Sequence, residues 1–231
     1  SIDGGSTWAS LGSGSNTPTV AAGSKIMWRG ELTPKADDYR FTGGTAYFSS
    51  TGSFNAKGNP MSILFGDNFI GQTDLTGKNF AFKLLFNGSK IVSAENLALP
   101  ATTLANNCYQ SMFSNCTNLT TTPVLPATTL VQGCYSDMFN GCTSLNNITC
   151  LATDISATNC TSNWVFNVAS SGTFTKAESM TSWTRGNNGI PSGWLVFPTD
   201  SFAITSLAAN NTITLTNNRQ SSTNSSFSYS L

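Results

Sequence analysis

The chain has 231 residues, 39% of them hydrophobic, which allows one large folded unit or two modest ones with a buried core. Lys plus Arg and Asp plus Glu number 11 each, charged residues make up 10% of the chain, and no Lys or Arg lies between Lys90 and Lys176, so that stretch lacks the cations a nucleic-acid interface needs to displace phosphate counterions. No apolar run is long enough to cross a membrane, and the absence of histidine removes Ser-His-Asp and Cys-His catalysis.

The first section, residues 1–60, reads as β-rich. Short β-prone runs such as Lys25-Ile26-Met27-Trp28-Arg29 and Thr45-Ala46-Tyr47-Phe48 are separated by turn signals at Asp3-Gly4-Gly5, Ala22-Gly23-Ser24, Gly43-Gly44 and Lys57-Gly58-Asn59-Pro60. The chain starts at Ser1 without Met, as expected of a processed product or an excised fragment. Ser1-Ile2-Asp3-Gly4-Gly5-Ser6-Thr7-Trp8 matches the pattern S-x-D-x-G-x-T-W, known as the Asp-box of sialidases and other glycan-active propellers. With a single copy and four arginines in the chain, the motif reads as a structural turn, its Asp capping a tight hairpin above the Trp.

Residues 61–165 carry an internal repeat. Leu99-Pro100-Ala101-Thr102-Thr103-Leu104 returns 26 residues later as Leu125-Pro126-Ala127-Thr128-Thr129-Leu130. Cys108, Cys134 and Cys160 keep the same step, as do Cys116 and Cys142. A fixed period in this range signals a stacked architecture. Within one unit Leu104, Cys108, Met112 and Cys116 recur every four residues, with Tyr109 and Phe113 beside them, which predicts an amphipathic helix of about three turns. Leu119-Thr120-Thr121-Thr122-Pro123-Val124-Leu125 predicts a short strand that the prolines end early. The expected fold is therefore α/β: a short leucine-rich-repeat solenoid of about three to four repeats of ~26 residues. The six cysteines include no CxxC pair and are expected to face inward as small apolar residues; inter-rung disulfides are the alternative, and neither a metal nor another cofactor is expected.

Beyond the repeats, residues 166–197 are expected to form a C-terminal cap of the solenoid. Residues 198–231 return to β character in Thr212-Ile213-Thr214-Leu215-Thr216. Together with 1–33 they are expected to complete an antiparallel, sandwich-like unit cut at the Asp-box hairpin. That joint implies a tandem array in the parent protein or termini that meet within one molecule, and an unpaired edge strand would favour end-to-end self-association through terminal strands.

The unit LPATTL-x3-CY-x2-MF-x2-CT-x-L, carried here by Leu99 to Leu104, Cys108-Tyr109, Met112-Phe113, Cys116-Thr117 and Leu119, resembles the BspA-like class of leucine-rich repeats. The segment Met180-Thr181-Ser182-Trp183 with Gly189-Ile190-Pro191-Ser192-Gly193-Trp194 is similar to the one that often follows such arrays. This resemblance spans about residues 60–197. It implies a surface or secreted protein of a bacterium or phage that adheres to host molecules, and it carries over no ligand residues.

The expected function is non-enzymatic: an extracellular or cell-surface adhesion module recognising a host or bacterial surface glycan or protein. The alternative is a virion component, a phage fibre or capsid-decorating protein that binds host cells or surface glycans. The candidate binding residues are Asn96, Thr120, Thr122 and Asn146, polar positions that alternate with Leu119 and Leu125. Asp37-Asp38 and Asp67-Asn68 lack the spacing of a calcium loop and read as solvated turns. Trp164, Trp183 and Trp194 read as core in preference to a sugar-stacking platform.

Overall fold

The computed structural model describes residues 1–3, 5–9, 18–31 and 47–199, and these fall within one compact unit. Regular structure is sparse among them. There are five short strands, β1 (Phe54–Asn55), β2 (Ile91–Ser93), β3 (Asn147–Cys150), β4 (Thr173–Lys176) and β5 (Leu195–Pro198), and one four-residue helix, α1 (Ser62–Phe65). The strands form two small sheets, β1-β2 and β3-β4-β5, and every pairing is parallel.

This overturns the expected α/β solenoid of helix-plus-strand repeats flanked by an antiparallel sandwich. Among the described residues the one α-helix lies well before the 104–116 stretch read as helical, no antiparallel sheet is formed, and most residues are turn or coil. The stretch read as a helix shows why. In residues 105–116 the N–H groups of Cys108, Gln110, Met112, Ser114 and Cys116 each close onto the carbonyl three residues back, at 3.0–3.2 Å. The N–H groups between them, from Asn107, Tyr109, Ser111, Phe113 and Asn115, leave the segment and donate to Gln132, Cys134, Ser136, Met138 and Asn140. An α-helix keeps these bonds within itself, each N–H reaching the carbonyl four residues back.

A left-handed residue at every fourth position makes this possible. Asn107, Ser111 and Asn115 have φ of 56°, 54° and 59°. Each reverses the right-handed winding of the turn before it, so the chain advances as a ribbon of overlapping turns instead of coiling. The same spacing recurs at Phe80, Leu84 and Gly88, at Gly133, Asp137 and Gly141, and at Asn159, Asn163 and Asn167. Four such ribbons, here called rungs, are stacked through bonds running N–H to C=O in one direction: Phe82 to Cys108, Tyr109 to Cys134, Tyr135 to Cys160. The true side-chain period is four, close enough to 3.6 to imitate a helix.

Period four sends two adjacent residues per turn inward. Tyr109 stacks between Phe82 and Tyr135 at ring separations of 5.5 and 6.0 Å, and Phe113 between Phe86 and Phe139 at 5.4 and 5.7 Å. Trp164 ends both columns, packs on Trp183 at 5.4 Å and donates from Nε1 to Gly189 O at 2.7 Å. Trp164 and Trp194 are buried and Trp183 is half-buried, so these tryptophans are core. All six cysteines are free and buried. Cys116 Sγ donates to Phe86 O at 2.9 Å and Cys142 Sγ to Phe113 O at 3.0 Å, so both thiols tie neighbouring rungs together.

The ends of the stack are covered by other parts of the chain. At the first rung Phe48 N–H donates to Leu85 O. At the last, Asn163 N–H donates to Asn188 Oδ1 at 2.7 Å and Val165 N–H to Asn187 O. The Asp-box motif caps its own turn: Asp3 accepts from Ser1 Oγ, Thr7 N and Thr7 Oγ1, while Trp8 lies under the Arg29 guanidinium. Arg29 also pairs with Asp67. Asp37-Asp38 and, beyond Thr199, the proposed sandwich half at 198–231 lie outside the described residues.

Candidate functional site

The sheet β3-β4-β5 fixes which side chains face outward. Its register aligns Asn147 with Thr173 and Leu195, and Thr149 with Thr175 and Phe197. Ile148, Cys150 and Phe174, one residue out of phase, are fully buried. Alternation along a strand therefore puts Asn147, Thr149, Thr173, Thr175, Leu195 and Phe197 on the outer face, a grid two residues deep and three strands wide, with strands about 4.8 Å apart. Four members carry hydroxyl or amide groups and two are apolar, with Leu195 55% exposed.

The polar members are held in place. Asn147 Nδ2 donates to Thr173 Oγ1 at 2.7 Å, which leaves the amide oxygen and the hydroxyl proton available. One strand position back, Ser93 pairs with Thr121 across a parallel bridge, their hydroxyls 2.7 Å apart. No charged side chain belongs to the grid. Lys176, on the opposite pleat of β4, curls its ammonium onto the carbonyls of Ala177, Glu178 and Met180.

The four residues expected to bind ligand are placed differently. Thr120 is exposed, but its Oγ1 donates to Val92 O at 3.1 Å. Thr122 is half-buried and its Oγ1 donates to Asn147 O at 3.3 Å. Both hydroxyls are drawn sideways into the ladder. Asn96 and Asn146 are exposed, and their carbonyls accept from Gly58 and Thr173. Asn96 pairs toward the start of the stack and Asn146 toward its end, so they do not share one column. The residues missed are Ser93, Thr121, Asn147, Thr149, Thr173 and Thr175. A signal was present, because Asn147-Ile148-Thr149-Cys150 and Thr173-Phe174-Thr175-Lys176 stand one 26-residue step apart.

A second exposed row runs through the Ala-Thr-Thr-Leu elements. Asp74 bridges to Thr103 and Thr129 to Asp154, with Thr73, Thr102, Thr128 and Thr153 exposed beside them. The Thr76 hydroxyl and N–H hold the Asp74 carboxyl below the usual carboxylate range, and the Ser156 N–H and hydroxyl do the same for Asp154. Ser1 and Thr7 hold Asp3 lower still. With Asp67 paired to Arg29 and Asp137 accepting from Asn140 Nδ2 at 2.9 Å, every described aspartate has a local partner.

Burial raises the thiol pKa values, pushing Cys108 and Cys150 up to about 12, which favours the protonated, less reactive thiol at neutral pH. Among the described residues no three His, Cys, Asp or Glu side chains stand together as a metal site requires, and no helix is long and apolar enough to cross a membrane.

No protein-family model matches the chain, and comparison with curated proteins and with solved structures gives no significant match.

Proposed function

We propose that this chain is a non-enzymatic recognition module of the cell exterior that holds a glycan or a protein against the surface of its stacked rungs. The observation that carries this reading is the paired, uncharged surface of the ladder: Ser93 with Thr121 and Asn147 with Thr173, each pair 2.7 Å apart. Hydroxyl and amide groups fixed by neighbouring strands offer directional hydrogen bonds without losing side-chain freedom on binding.

The test is the full chain applied to an array of surface glycans and extracellular proteins, alongside an assay for released reducing sugar. Binding without turnover is the expected result. Sugar release would reject the reading, and loss of binding in Thr120→Arg would show that exposed Thr120 takes part.

A further inference from the structure

We infer that the outer face of the β3-β4-β5 sheet is the binding site for an uncharged polysaccharide chain, a proposal that rests on the recognition reading above and names its surface and ligand class. The grid Asn147, Thr173, Leu195 and Thr149, Thr175, Phe197 combines the two kinds of contact a sugar ring makes. Its hydroxyls exchange hydrogen bonds with Thr and Asn, and its C–H face packs on apolar side chains. Here the apolar pair stands together on β5, and the polar four fill β3 and β4.

Charge selects among polymers. No Lys or Arg lies between Lys90 and Lys176, and the Lys176 ammonium is held by three backbone carbonyls on the opposite pleat. Among the six grid residues a sulfated or uronic-acid polymer would find no cation to pair with. A neutral polymer loses no ion hydration on this face, and buried, unpaired charge is the largest cost it avoids. The Asn147–Thr173 bond orients the amide in advance, so ordering it costs little on binding.

The proposal is tested by affinity electrophoresis of the full chain in gels containing a mannan, a β-glucan, a galactan or polygalacturonate. Retardation by at least one neutral polymer and none by polygalacturonate is expected. Asn147→Asp, isosteric but charged, and Thr175→Arg should each weaken binding at least tenfold. Thr128→Arg, on the separate Ala-Thr-Thr-Leu row, should leave it unchanged, with circular dichroism confirming that each variant is folded. If Thr128→Arg abolishes retardation and both sheet variants bind normally, this face is rejected and neutral-glycan recognition stands. Retardation by polygalacturonate alone, or by none of the four polymers, overturns the ligand class. Capture of an extracellular protein on the array would then preserve the recognition reading by itself.

Discussion

Gly133 and Gly141 sit one rung beyond Asn107 and Asn115, and their φ angles of 61° and 78° keep the left-handed turn that those asparagines start. They also leave room for the asparagine side chains. A Cβ on Gly133 would stand 2.1 Å from Asn107 Oδ1, and one on Gly141 would stand 2.6 Å from Asn115 Oδ1. Gly133→Ala is expected to destabilise the chain by about 2–4 kcal/mol, combining left-handed strain with overpacking. Gly58→Ala, at φ 88° with nothing within 4 Å of the added Cβ, should cost only the strain, about 1–2 kcal/mol. Urea unfolding of the two variants measures the difference, and equal losses would show that the asparagine simply moves aside. The buried thiols make a second prediction at this scale. Burial holds Cys108 and Cys150 protonated up to about 12 and raises Cys116, Cys134, Cys142 and Cys160 as well. An unfolded thiol ionises near 8.5. Below that pH both states are protonated and the full stability is present. Above it the unfolded state loses protons that the folded state retains, so stability falls by about 1.4 kcal/mol per pH unit for each such thiol. Urea midpoints measured under reducing conditions should hold between pH 6 and 8 and drop steeply above 9, and Cys108→Ala with Cys150→Ala should flatten that drop.

The rung is the element that sequence patterning made half visible. Inward positions such as Cys108, Tyr109, Met112, Phe113 and Cys116 were readable from their spacing, and all are buried. The conformation was not, because these five positions also fall on one side of a 3.6-residue helix over so short a stretch. The residues that decide between them, at the left-handed positions, range from Asn and Gly to Phe80 and Leu84, so composition does not announce them. What separates a rung from a helix is the neighbour that takes half of its N–H groups. The outer grid was hidden for a related reason: Asn147 and Thr173, like Ser93 and Thr121, come side by side only through parallel pairing. The last rung has no complete neighbour. Its N–H groups resemble the orphan donors at the start of a helix, and Asn188 Oδ1 takes the one from Asn163. Asn188→Ala should cost about 1 kcal/mol, as loss of a side-chain cap does in a helix. Amide hydrogen exchange should quicken at Asn163 while Ser111 keeps its protection. Asn188→Asp, which retains the acceptor oxygen, should restore the slow exchange.

At the scale of the molecule, all the rung-to-rung bonds from the turn ribbons point the same way, N–H groups toward the C-terminal neighbour, so the stack has two unlike ends. Each is met by a different device. Phe48 donates to Leu85 O at the acceptor end, while Asn187 and Asn188 accept at the donor end. In the described sheet the outer strand β5 carries Pro198, whose missing N–H falls where an added strand would need a donor. Between these ends the rungs are nearly interchangeable, because Asn107, Cys108, Tyr109, Met112 and Phe113 have counterparts at Gly133, Cys134, Tyr135, Met138 and Phe139. Deleting residues 108–133 joins Asn107 to Cys134 and removes one whole period. Phe82 N–H would then meet Cys134 O in place of Cys108 O, Ser93 would face Asn147, and both ends would keep their covers. The shortened chain is expected to fold with the same circular dichroism shape and a lower urea midpoint, since one set of rung contacts is gone. Removing half a period instead, residues 108–120, would set inward side chains against outward ones and leave N–H groups without carbonyls, so that chain should not fold. If both deletions unfold alike, the stack is not built from exchangeable units and its stability depends on contacts particular to each rung. If the whole-period deletion folds and keeps its retardation by neutral polysaccharide, the binding face lies outside the excised segment, as the β3-β4-β5 grid requires.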